Sequence, residues 1–368
     1  MQFSVSTKEL NEAISIVTRA MPSHSSLSIL EGIYFYAYNN TLFMKCSDLS
    51  LQIETEIPAM VIEEGSAVMP GRLCADLIKR FNGETVDFAG NENSVKISSG
   101  RVKTSLQVNS ADDYPEMVKV NDEFSAEISK SVLKNMIRQT AFSVSVDDTK
   151  PILNGVCLKF SDNQLVMVAL DGFRLAMRKE MVEDCTGEKS VIIPTRAINE
   201  ISSILPNDDE KIRLIFSSTH VKIKFGETSI ISRLLDGEYV NYKGILPKAF
   251  STKVLVSCSE LRESVERASL MARESKSNLI KLSFTEGMLS ITANSEKGNI
   301  DDEIEVQTMG KELEIAFNAK YVLEVMKNID AEQAYLNMNN SVMPCVITPI
   351  EGDAFYYMVL PVRLFSGK

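Results

Sequence analysis

The sequence contains no tryptophan and only two histidines in its 368 residues. His24 and His220 lie far apart, without the HxH or HExxH spacing that would indicate a metal site or a histidine base. Cysteines are scattered without a CxxC pair, which argues against zinc and disulfides and favours reduced thiols in the core. The six cysteines are Cys46, Cys74, Cys157, Cys185, Cys258 and Cys345. The sequence therefore predicts neither a metal nor any other cofactor.

Long apolar segments are also missing. No stretch approaches the roughly 20 apolar residues that a membrane-spanning helix requires. The first residues, Met1–Val5, lack the basic region and apolar run of a secretory signal. Hydrophobic residues make up 44% and charged residues 24% of the chain, which is ordinary for a globular protein. We therefore expect a cytoplasmic protein that has no membrane partner.

Residues that could form a catalytic centre are few. The Gly-Glu-Lys-Ser stretch at 187–190 matches the end of a phosphate-binding loop, but Val182 stands where the first glycine belongs. A hydrolase is an alternative, because Asp48 and Asp171 are 123 residues apart and hold equivalent places in a repeated pattern. The next equivalent place holds Ser295, which favours turn capping over a catalytic pair. The sequence thus predicts a protein that is not an enzyme.

The chain repeats one pattern three times. Four apolar positions recur after 123 residues and again after another 124, and their alternation indicates two strands of a hairpin. The positions are Ile33, Phe35, Leu42 and Met44, then Val156, Leu158, Leu165 and Met167, then Ile280, Leu282, Leu289 and Ile291. The strands are joined by residues that accept the positive φ of tight turns: Asn39-Asn40, Asp162-Asn163 and Glu286-Gly287. We predict three tandem domains of one design.

A second set of positions has the same period and marks helices. Arg72, Arg196 and Lys320 are spaced by 124 residues, and each follows a helix start signal. With a further helix opening each copy, this predicts an α+β fold in which two helices per repeat pack on antiparallel sheets. The predicted helices cover 7–20, 72–81, 129–145, 195–205, 258–276 and 318–329. The predicted domains are residues 1–122, 123–248 and 249–368, each large enough to bury its own core.

Positive charge is concentrated on the predicted helices. The chain has a net charge of −11, yet the six helices sum to +6, which leaves −17 elsewhere. This segregation is expected if the helices face a polyanion. Lys130, Lys134 and Arg138 are spaced by four residues, so they share one face of a helix without acidic residues. A second cluster occurs in the first repeat: Arg72, Lys79 and Arg80.

The kind of polyanion follows from what surrounds these cations. Aromatic residues do not interleave them, so stacking on exposed bases is poorly supported. Contact with the phosphates of duplex DNA, without reading its sequence, is what such helical surfaces can provide. Two alternatives stay open at this point: a solvated helix face that tolerates the repulsion, and a three-repeat scaffold that binds only proteins.

Four short segments carry a specific resemblance. They are Leu27–Leu30, Pro151–Gly155, Leu170–Ala176 and Tyr357–Leu364. Together with the threefold period, they resemble the bacterial replicative sliding clamps, the beta subunits of DNA polymerase III, over essentially the whole chain.

The resemblance implies a function without catalysis. It implies a head-to-tail homodimer of three-domain subunits that closes a ring-shaped DNA clamp, with helices lining the hole. The ring would encircle double-stranded DNA without sequence preference and confer processivity on the DNA polymerase III catalytic subunit. An external ATP-driven clamp loader would open it. The residues expected to face DNA are His24, Arg72, Lys79, Arg80, Lys130, Lys134, Arg138, Arg196 and Lys320.

The resemblance also implies a groove between the second and third domains for linear peptide motifs of polymerases, the clamp loader and repair proteins. Arg174 and Arg363 would supply polar anchoring. Phe173 stands where the family often has histidine and Leu170 where it has threonine, so a more apolar groove is expected, and residues 365–368 extend beyond the usual ending. The groove residues are Leu153, Leu170, Gly172, Phe173, Arg174, Leu175, Pro247, Met358, Leu360, Pro361, Val362 and Arg363.

The dimer seam is the third implied site. It would pair a strand of the first domain with a strand of the third, so that cations meet acids. Thr104 stands where relatives often have phenylalanine. The first-domain residues are Arg101, Lys103 and Leu106, and the third-domain residues are Leu270, Met271, Glu296, Asp301 and Asp302.

Overall fold

The computed structural model describes residues 1–91, 93–116, 118–185, 187–275 and 277–363. The chain forms two compact units: residues 1–130 with 203–234, and residues 131–202 with 235 onward. Among the described residues, no helix is both long and apolar enough to cross a membrane.

Among its described residues, the first repeat contains nine strands and two helices. Helix α1 begins after Ser6, whose hydroxyl accepts the Glu9 amide, and it buries Leu10, Ile14 and Val17 along one face. The helices are α1 (Thr7–Val17) and α2 (Gly71–Ile78). The strands are β1 (Gln2–Ser6), β2 (Gly32–Tyr38), β3 (Thr41–Ser47), β4 (Leu51–Pro58), β5 (Met60–Glu63), β6 (Gly65–Pro70), β7 (Thr85–Gly90), β8 (Ser94–Ser99) and β9 (Val102–Gln107).

In the part of the second repeat that the structure describes, there are eight strands and two helices. Its first helix ends at Ala141, before the predicted end at Ser145, because the amides of Ser143 and Val144 bond only three residues back and the Ser145 amide bonds the Leu153 carbonyl. The helices are α3 (Lys130–Ala141) and α4 (Thr195–Ile204). The strands are β10 (Phe124–Ser129), β11 (Gly155–Ser161), β12 (Gln164–Leu170), β13 (Arg174–Met181), β14 (Lys189–Pro194), β15 (Lys211–Phe216), β16 (His220–Phe225) and β17 (Thr228–Arg233).

The described residues of the third repeat form nine strands and two helices. Ser257 caps its first helix by accepting the Glu260 amide, as Ser6 does in the first repeat. The helices are α5 (Cys258–Arg273) and α6 (Ala319–Lys327). The strands are β18 (Thr252–Ser257), β19 (Leu279–Thr285), β20 (Met288–Ser295), β21 (Gly298–Glu305), β22 (Gln307–Gly310), β23 (Leu313–Asn318), β24 (Gln333–Met338), β25 (Cys345–Thr348) and β26 (Phe355–Val359).

All six predicted helices and all three predicted hairpins are confirmed. Asn39 and Asn40 have φ values of 44° and 58°, and Asp162 and Asn163 have 51° and 57°. Two positive φ angles in a two-residue loop match the twist of the flanking strands. In the third hairpin Gly287 has φ 78°. Lys276, at the predicted end of the fifth helix, lies outside the described residues.

Four antiparallel sheets organise the two units. The first unit holds a sheet ordered β5-β1-β7-β8-β9 and another ordered β10-β15-β16-β17-β4-β3-β2-β6. The second unit holds a sheet ordered β14-β11-β12-β13-β26-β25-β24-β18-β22 and another ordered β21-β20-β19-β23. Two of the sheets cross repeat boundaries. In the first unit β4 pairs with β17, and in the second β13 pairs with β26.

Each unit has its own apolar core. In the first, the rings of Phe3 and Phe88 stack at 4.6 Å, with Phe35 at 6.0 Å from Phe88. In the second, helix α5 buries Leu261 and Val265 in a cluster with strands of the third repeat. Full burial of such a side chain contributes about 1.5–3 kcal/mol to folding. Five of the six cysteines are buried free thiols and Cys185 is half-buried, in agreement with the predicted reduced thiols.

Candidate functional site

Several predicted groove residues meet in the second unit. Leu153, Leu170, Leu175 and Met358 belong to one apolar cluster, formed by β12, β13, β26 and the segment before β11. Leu175 is fully buried, so it supports the groove from below. The chain after β17 packs over this cluster through the partly buried Tyr239, Leu246 and Phe250 and the buried Tyr242, and burial raises the pKa of Tyr242 to about 12. Sequence reasoning missed these aromatic residues, which lie in a segment without a repeating pattern.

The final described segment forms the rim of this groove. The Leu360 amide donates to the Phe173 carbonyl at 2.8 Å, and the Val362 amide donates to the Ala316 carbonyl at 2.8 Å. Leu360, Pro361 and Pro247 are half-buried, whereas Val362 and Arg363 are exposed. The predicted tail at 365–368 lies outside the described residues. Main-chain bonds thus fix the segment while leaving apolar side chains accessible.

The tight turn before β13 presents Phe173. Gly172 has φ 94°, a conformation that favours glycine, and an added Cβ there would meet no neighbour. The Asp171 carboxylate accepts the amides of Phe173 at 2.8 Å and Arg174 at 3.0 Å. The Phe173 ring is 58% exposed and stacks on Tyr321 at 6.0 Å. An exposed aromatic ring therefore stands beside the rim, as the predicted apolar groove requires.

The same turn recurs in the other repeats. Asp48 accepts the amides of Ser50 at 2.9 Å and Leu51 at 2.7 Å, and Ser295 accepts the Lys297 amide at 3.2 Å. Since both aspartates are committed to turn capping, the hydrolase alternative loses its proposed acids. Among the described residues, no cluster of three or more His, Cys, Asp or Glu could hold a metal.

Arg174, predicted to anchor a partner, makes its polar contacts within its own unit. Its side chain is only 7% exposed. Its Nε donates to Asp171 at 3.0 Å, its Nη2 donates to the Phe142 carbonyl at 2.7 Å, and its Nη1 binds the Glu324 carboxylate. The guanidinium also lies 4.7 Å from the Tyr321 ring centroid. Because its donors are used inside the unit, Arg174 fixes the turn under Phe173. Its partners were missed because Glu324 is 150 residues distant in the sequence.

The predicted DNA-facing cations of the first unit are four exposed residues and one buried residue, Lys130. His24, Arg72, Lys79 and Arg80 are exposed. Arg72 donates to the Ser23 carbonyl at 3.0 Å, which ties the loop that carries His24 to α2.

Lys130, predicted to face DNA, is buried and paired with acids of its own unit. It is 5% exposed, and its ammonium lies 2.6 Å from Glu210 and 3.1 Å from Asp208. The hydrogen bond with Glu210 raises the pKa of Lys130. Asp208 and Glu210 lie 78 and 80 residues after Lys130 in the sequence, so the absence of acids in the helix itself was misleading. The charge of Lys130 is compensated within its unit.

The predicted cations of the second unit are exposed or half-buried. Arg138, Arg196 and Lys320 are exposed, and Lys134 is half-buried. Arg138 also binds the Asp330 carboxylate, and the Lys320 ammonium lies 4.0 Å from Glu324. Such exposed pairs are weak and exchange readily with other anions.

Four of the predicted seam residues lie on two edge strands, Lys103 and Leu106 on β9 and Asp301 and Asp302 on β21, whereas Leu270 and Met271 lie on helix α5 and Arg101 and Glu296 lie in turns. Among the described residues, β9 pairs only with β8 in its sheet, and β21 pairs only with β20. Arg101 and Lys103 are exposed in the first unit. In the second, Leu270, Glu296 and Asp301 are exposed and Met271 is half-buried.

Two of the predicted seam residues make their contacts within their own unit. Leu106 is 5% exposed, because β9 alternates and turns this side chain into its own unit, so it can offer a partner only its backbone. Asp302 lies 2.6 Å from the Arg267 Nε, and that hydrogen bond lowers the pKa of Asp302. Its charge is therefore matched by a cation of its own subunit.

We expect Arg174→Ala to lower the free energy of unfolding by about 3 kcal/mol, because it leaves the largely buried Asp171 without its cation. Urea denaturation measures the change. Arg178→Ala is the matched control on the same strand, since it removes a more exposed pair with Glu180 and should cost less than about 1 kcal/mol. Equal losses in the two variants would contradict the assigned role of Arg174.

Comparison with known proteins identifies the family. Models of the DNA polymerase III beta subunit match residues 1–118 with its N-terminal domain, 127–241 with its central domain and 243–363 with its C-terminal domain. The beta sliding clamp of Staphylococcus epidermidis is 33% identical over 376 residues, covering 99% of this chain and all of its own. The crystal structures of the Bacillus subtilis sliding clamp and the Thermotoga maritima beta subunit are each 30% identical, with TM-scores of 0.96 and 0.91, and each covers 99% of this chain and all of its own. The chain therefore belongs to the bacterial DNA polymerase III beta subunit family and is a sliding clamp, a processivity factor that catalyses no reaction.

Proposed function

We propose that two copies of this chain close head to tail into a ring around duplex DNA. The observation that carries this proposal is the repeated joining of strands. The third strand of the first repeat's hairpin sheet, β4, pairs with β17 of the second repeat. The equivalent strand of the second repeat, β13, pairs with β26 of the third. In the third repeat, β21 is the strand equivalent to β4 and β13. In the first repeat, β9 is the strand equivalent to β17 and β26.

Both of these strands end their sheets, so each copy carries the two complementary halves of one more junction. An unpaired strand edge is a template for another strand. A head-to-tail contact that closes after two copies leaves neither edge free. We propose domain limits at residues 1–122, 123–248 and 249–368, with the seam between the first domain of one copy and the third of the other.

The internal junctions also give the register of this seam. Leu51 pairs with Ser232 in the first junction. The hairpin turns align Gly100 with Gly226, so Leu106 corresponds to Ser232, and the repeat spacing aligns Gly298 with Leu51. Extending the register from Gly298 and Leu106 sets Asp301 opposite Lys103. The exposed charges on the two edges are then opposite in sign, which favours this pairing over like with like.

The DNA contact proposed here is electrostatic. The exposed cations on and beside the helices, led by Arg72, Lys79, Arg196 and Lys320, would contact phosphates without reading bases. Such contacts do not create deep sequence-dependent wells, so a closed ring can slide. Because the ring cannot dissociate sideways, a bound polymerase rebinds its template as an intramolecular event. Processivity follows from this topology, and the proposal places the protein in the cytoplasm with bacterial DNA.

We also propose that the groove rim binds linear peptide motifs. The partners would be the DNA polymerase III catalytic subunit, the clamp loader, other polymerases and repair proteins. Exposed Phe173 and Val362 beside half-buried Leu360 and Pro361 provide apolar contacts on a backbone that hydrogen bonds hold fixed. A preformed apolar surface accepts anchor residues at a low entropic cost. Arg363 is the exposed cation of this rim and would supply the polar contact that Arg174 cannot.

The seam is tested by charge reversal. Lys103→Glu should weaken the dimer roughly 5- to 30-fold, because a like charge opposite Asp301 costs up to about 1 kcal/mol at each of two seams. Asp301→Lys should have the same effect, and combining both changes should restore the dimer. Sedimentation equilibrium measures the dissociation constant. Lys311→Glu, near the other edge of the β21 sheet, is the control. A double variant as weak as the single variants would contradict the register.

The topological mechanism is tested on DNA of two shapes. With a clamp loader and ATP, the protein should be retained on a nicked circular plasmid during gel filtration and should be lost once the plasmid is cut at a single site. The reason is that a sliding ring leaves only through a free end. Equal retention on circular and linear DNA would show ordinary binding. Lys79→Glu with Lys320→Glu should reduce loading while leaving the dimer intact.

The groove is tested with Val362→Glu, which changes an exposed side chain and keeps the main-chain bond to Ala316. Binding of a labelled peptide carrying the clamp-binding segment of the polymerase III catalytic subunit, followed by fluorescence anisotropy, should weaken at least tenfold because a charge replaces an apolar contact. Val342→Glu alters a valine of the same unit that is more exposed, at 56% against 37% for Val362, and this variant should bind normally. Similar binding by both variants would remove the rim from the partner site.

A further inference from the structure

The first unit contains a cavity whose lining shares no residue with the seam, the groove rim or the DNA-facing cations. Its volume is about 750 Å³, and aromatic rings line one wall. Tyr34, Tyr36 and Tyr38 alternate along β2, so all three side chains leave the same face of the sheet. Tyr36 and Tyr38 stack at 4.7 Å, and Phe43 from β3 meets Tyr34 edge to face at 6.2 Å. The wall is a continuous row of aromatic surface.

A buried lysine holds the opposite wall in place. Lys45 is 3% exposed, and its ammonium donates to the Pro115 carbonyl at 3.0 Å. It lies 5.0 Å from the Tyr34 ring centroid and 4.8 Å from that of Tyr114. Tyr114 is itself buried and accepts the Ser47 amide at 3.1 Å. The segment after β9 is therefore anchored over the sheet, and the cavity is preformed.

The second repeat shows which of these features are particular to the first. There too a segment after the last strand places a tyrosine over the sheet, and the Lys159 ammonium lies 5.0 Å from the Tyr242 ring centroid. The positions equivalent to Tyr36, Tyr38 and Phe43 hold Lys159, Ser161 and Val166. The matching cavity has only about 310 Å³. The tethered segment belongs to the shared fold, whereas the aromatic wall belongs to the first repeat.

The charges around the cavity select the class of ligand. Glu56, Asp112 and Glu116 line it together with Lys45 and Lys119, and Lys45 is already committed to Pro115. This acidic balance disfavours a nucleic acid, although aromatic rings can stack on bases. Strands β2 and β3 are paired on both sides, so a peptide cannot add there as a further strand.

We propose that this aromatic cavity binds a proline-rich segment of a partner protein that carries a basic residue. A polyproline II helix has no internal hydrogen bonds, so its carbonyls are available to tyrosine hydroxyls while its proline rings pack on aromatic faces. Tyr36 is 37% exposed and presents both a ring face and a hydroxyl. Glu56, which accepts the Tyr38 hydroxyl at 3.1 Å, would receive the basic residue. The proposal needs one chain only and is independent of ring closure.

The test uses a ten-residue synthetic peptide of alternating proline and leucine that ends in two arginines. Calorimetry gives the affinity, and tyrosine fluorescence is a supporting signal, because four of the ten tyrosines line this cavity and the chain has no tryptophan. Tyr36→Ala should weaken binding about tenfold, the loss of one aromatic anchor, and Glu56→Gln about threefold. Met60→Ala, an exposed apolar change in the same unit, should have no effect, and thermal melting checks that each variant is folded.

Two comparison ligands make the result decisive. A peptide with every proline replaced by alanine keeps the charge but loses the extended conformation, and it should bind at least tenfold more weakly. Equal affinity for the two peptides, unchanged affinity in folded Tyr36→Ala or Glu56→Gln, or preference for a twelve-residue oligothymidylate would each overturn the proposal.

Discussion

The fold depends on antiparallel pairing between strands that belong to different repeats. The β4–β17 and β13–β26 junctions are made by main-chain hydrogen bonds, which do not depend on side-chain identity. Repeats can therefore diverge in sequence while their junctions persist. Ile53 opposite Ile230 in one junction becomes Ala176 opposite Tyr357 in the other without loss of pairing. Because main-chain bonds do not depend on side-chain identity, the third junction that we propose between two chains can form in the same way.

Burial decides which of the cations in the sequence are available to an external anion. Lys130 and Arg174 both stand out in the sequence as candidates for binding anions, yet acids of their own unit neutralise both. A buried cation left without its partner would cost several kcal/mol, so such residues cannot also serve an external ligand. The exposed set that remains, including Arg72, Lys79 and Lys320, is smaller than the sequence suggested, but its members are free to exchange their partners for phosphate.

The sequence predicts what is local and misses what is distant. The hairpin turns at Asn39-Asn40 and Asp162-Asn163 could be predicted because positive φ in a two-residue loop selects a few residue types. The six helices could be predicted from their apolar period and start signals. The pairing of Arg174 with Glu324 could not, since nothing in either segment refers to the other across 150 residues. The groove residues could be predicted only from the family resemblance, whereas no sequence motif indicates the aromatic cavity of the first repeat.

The threefold plan also explains how one design yields different surfaces. After the last strand of each repeat, the chain bonds back to the strand that precedes the second helix: Asn109 to Val68 at 3.0 Å, Leu235 to Ile192 at 2.9 Å and Val362 to Ala316 at 2.8 Å. These equivalent bonds place each following segment against its own repeat by backbone alone. Side chains are then free to differ, so the first segment anchors Tyr114 over tyrosines, the second covers aliphatic residues, and the third leaves Val362 exposed at the rim. The surfaces of the three repeats therefore differ most at the segments whose backbone geometry is the same in each repeat. Main-chain hydrogen bonds alone fix that geometry, so the side chains there can vary.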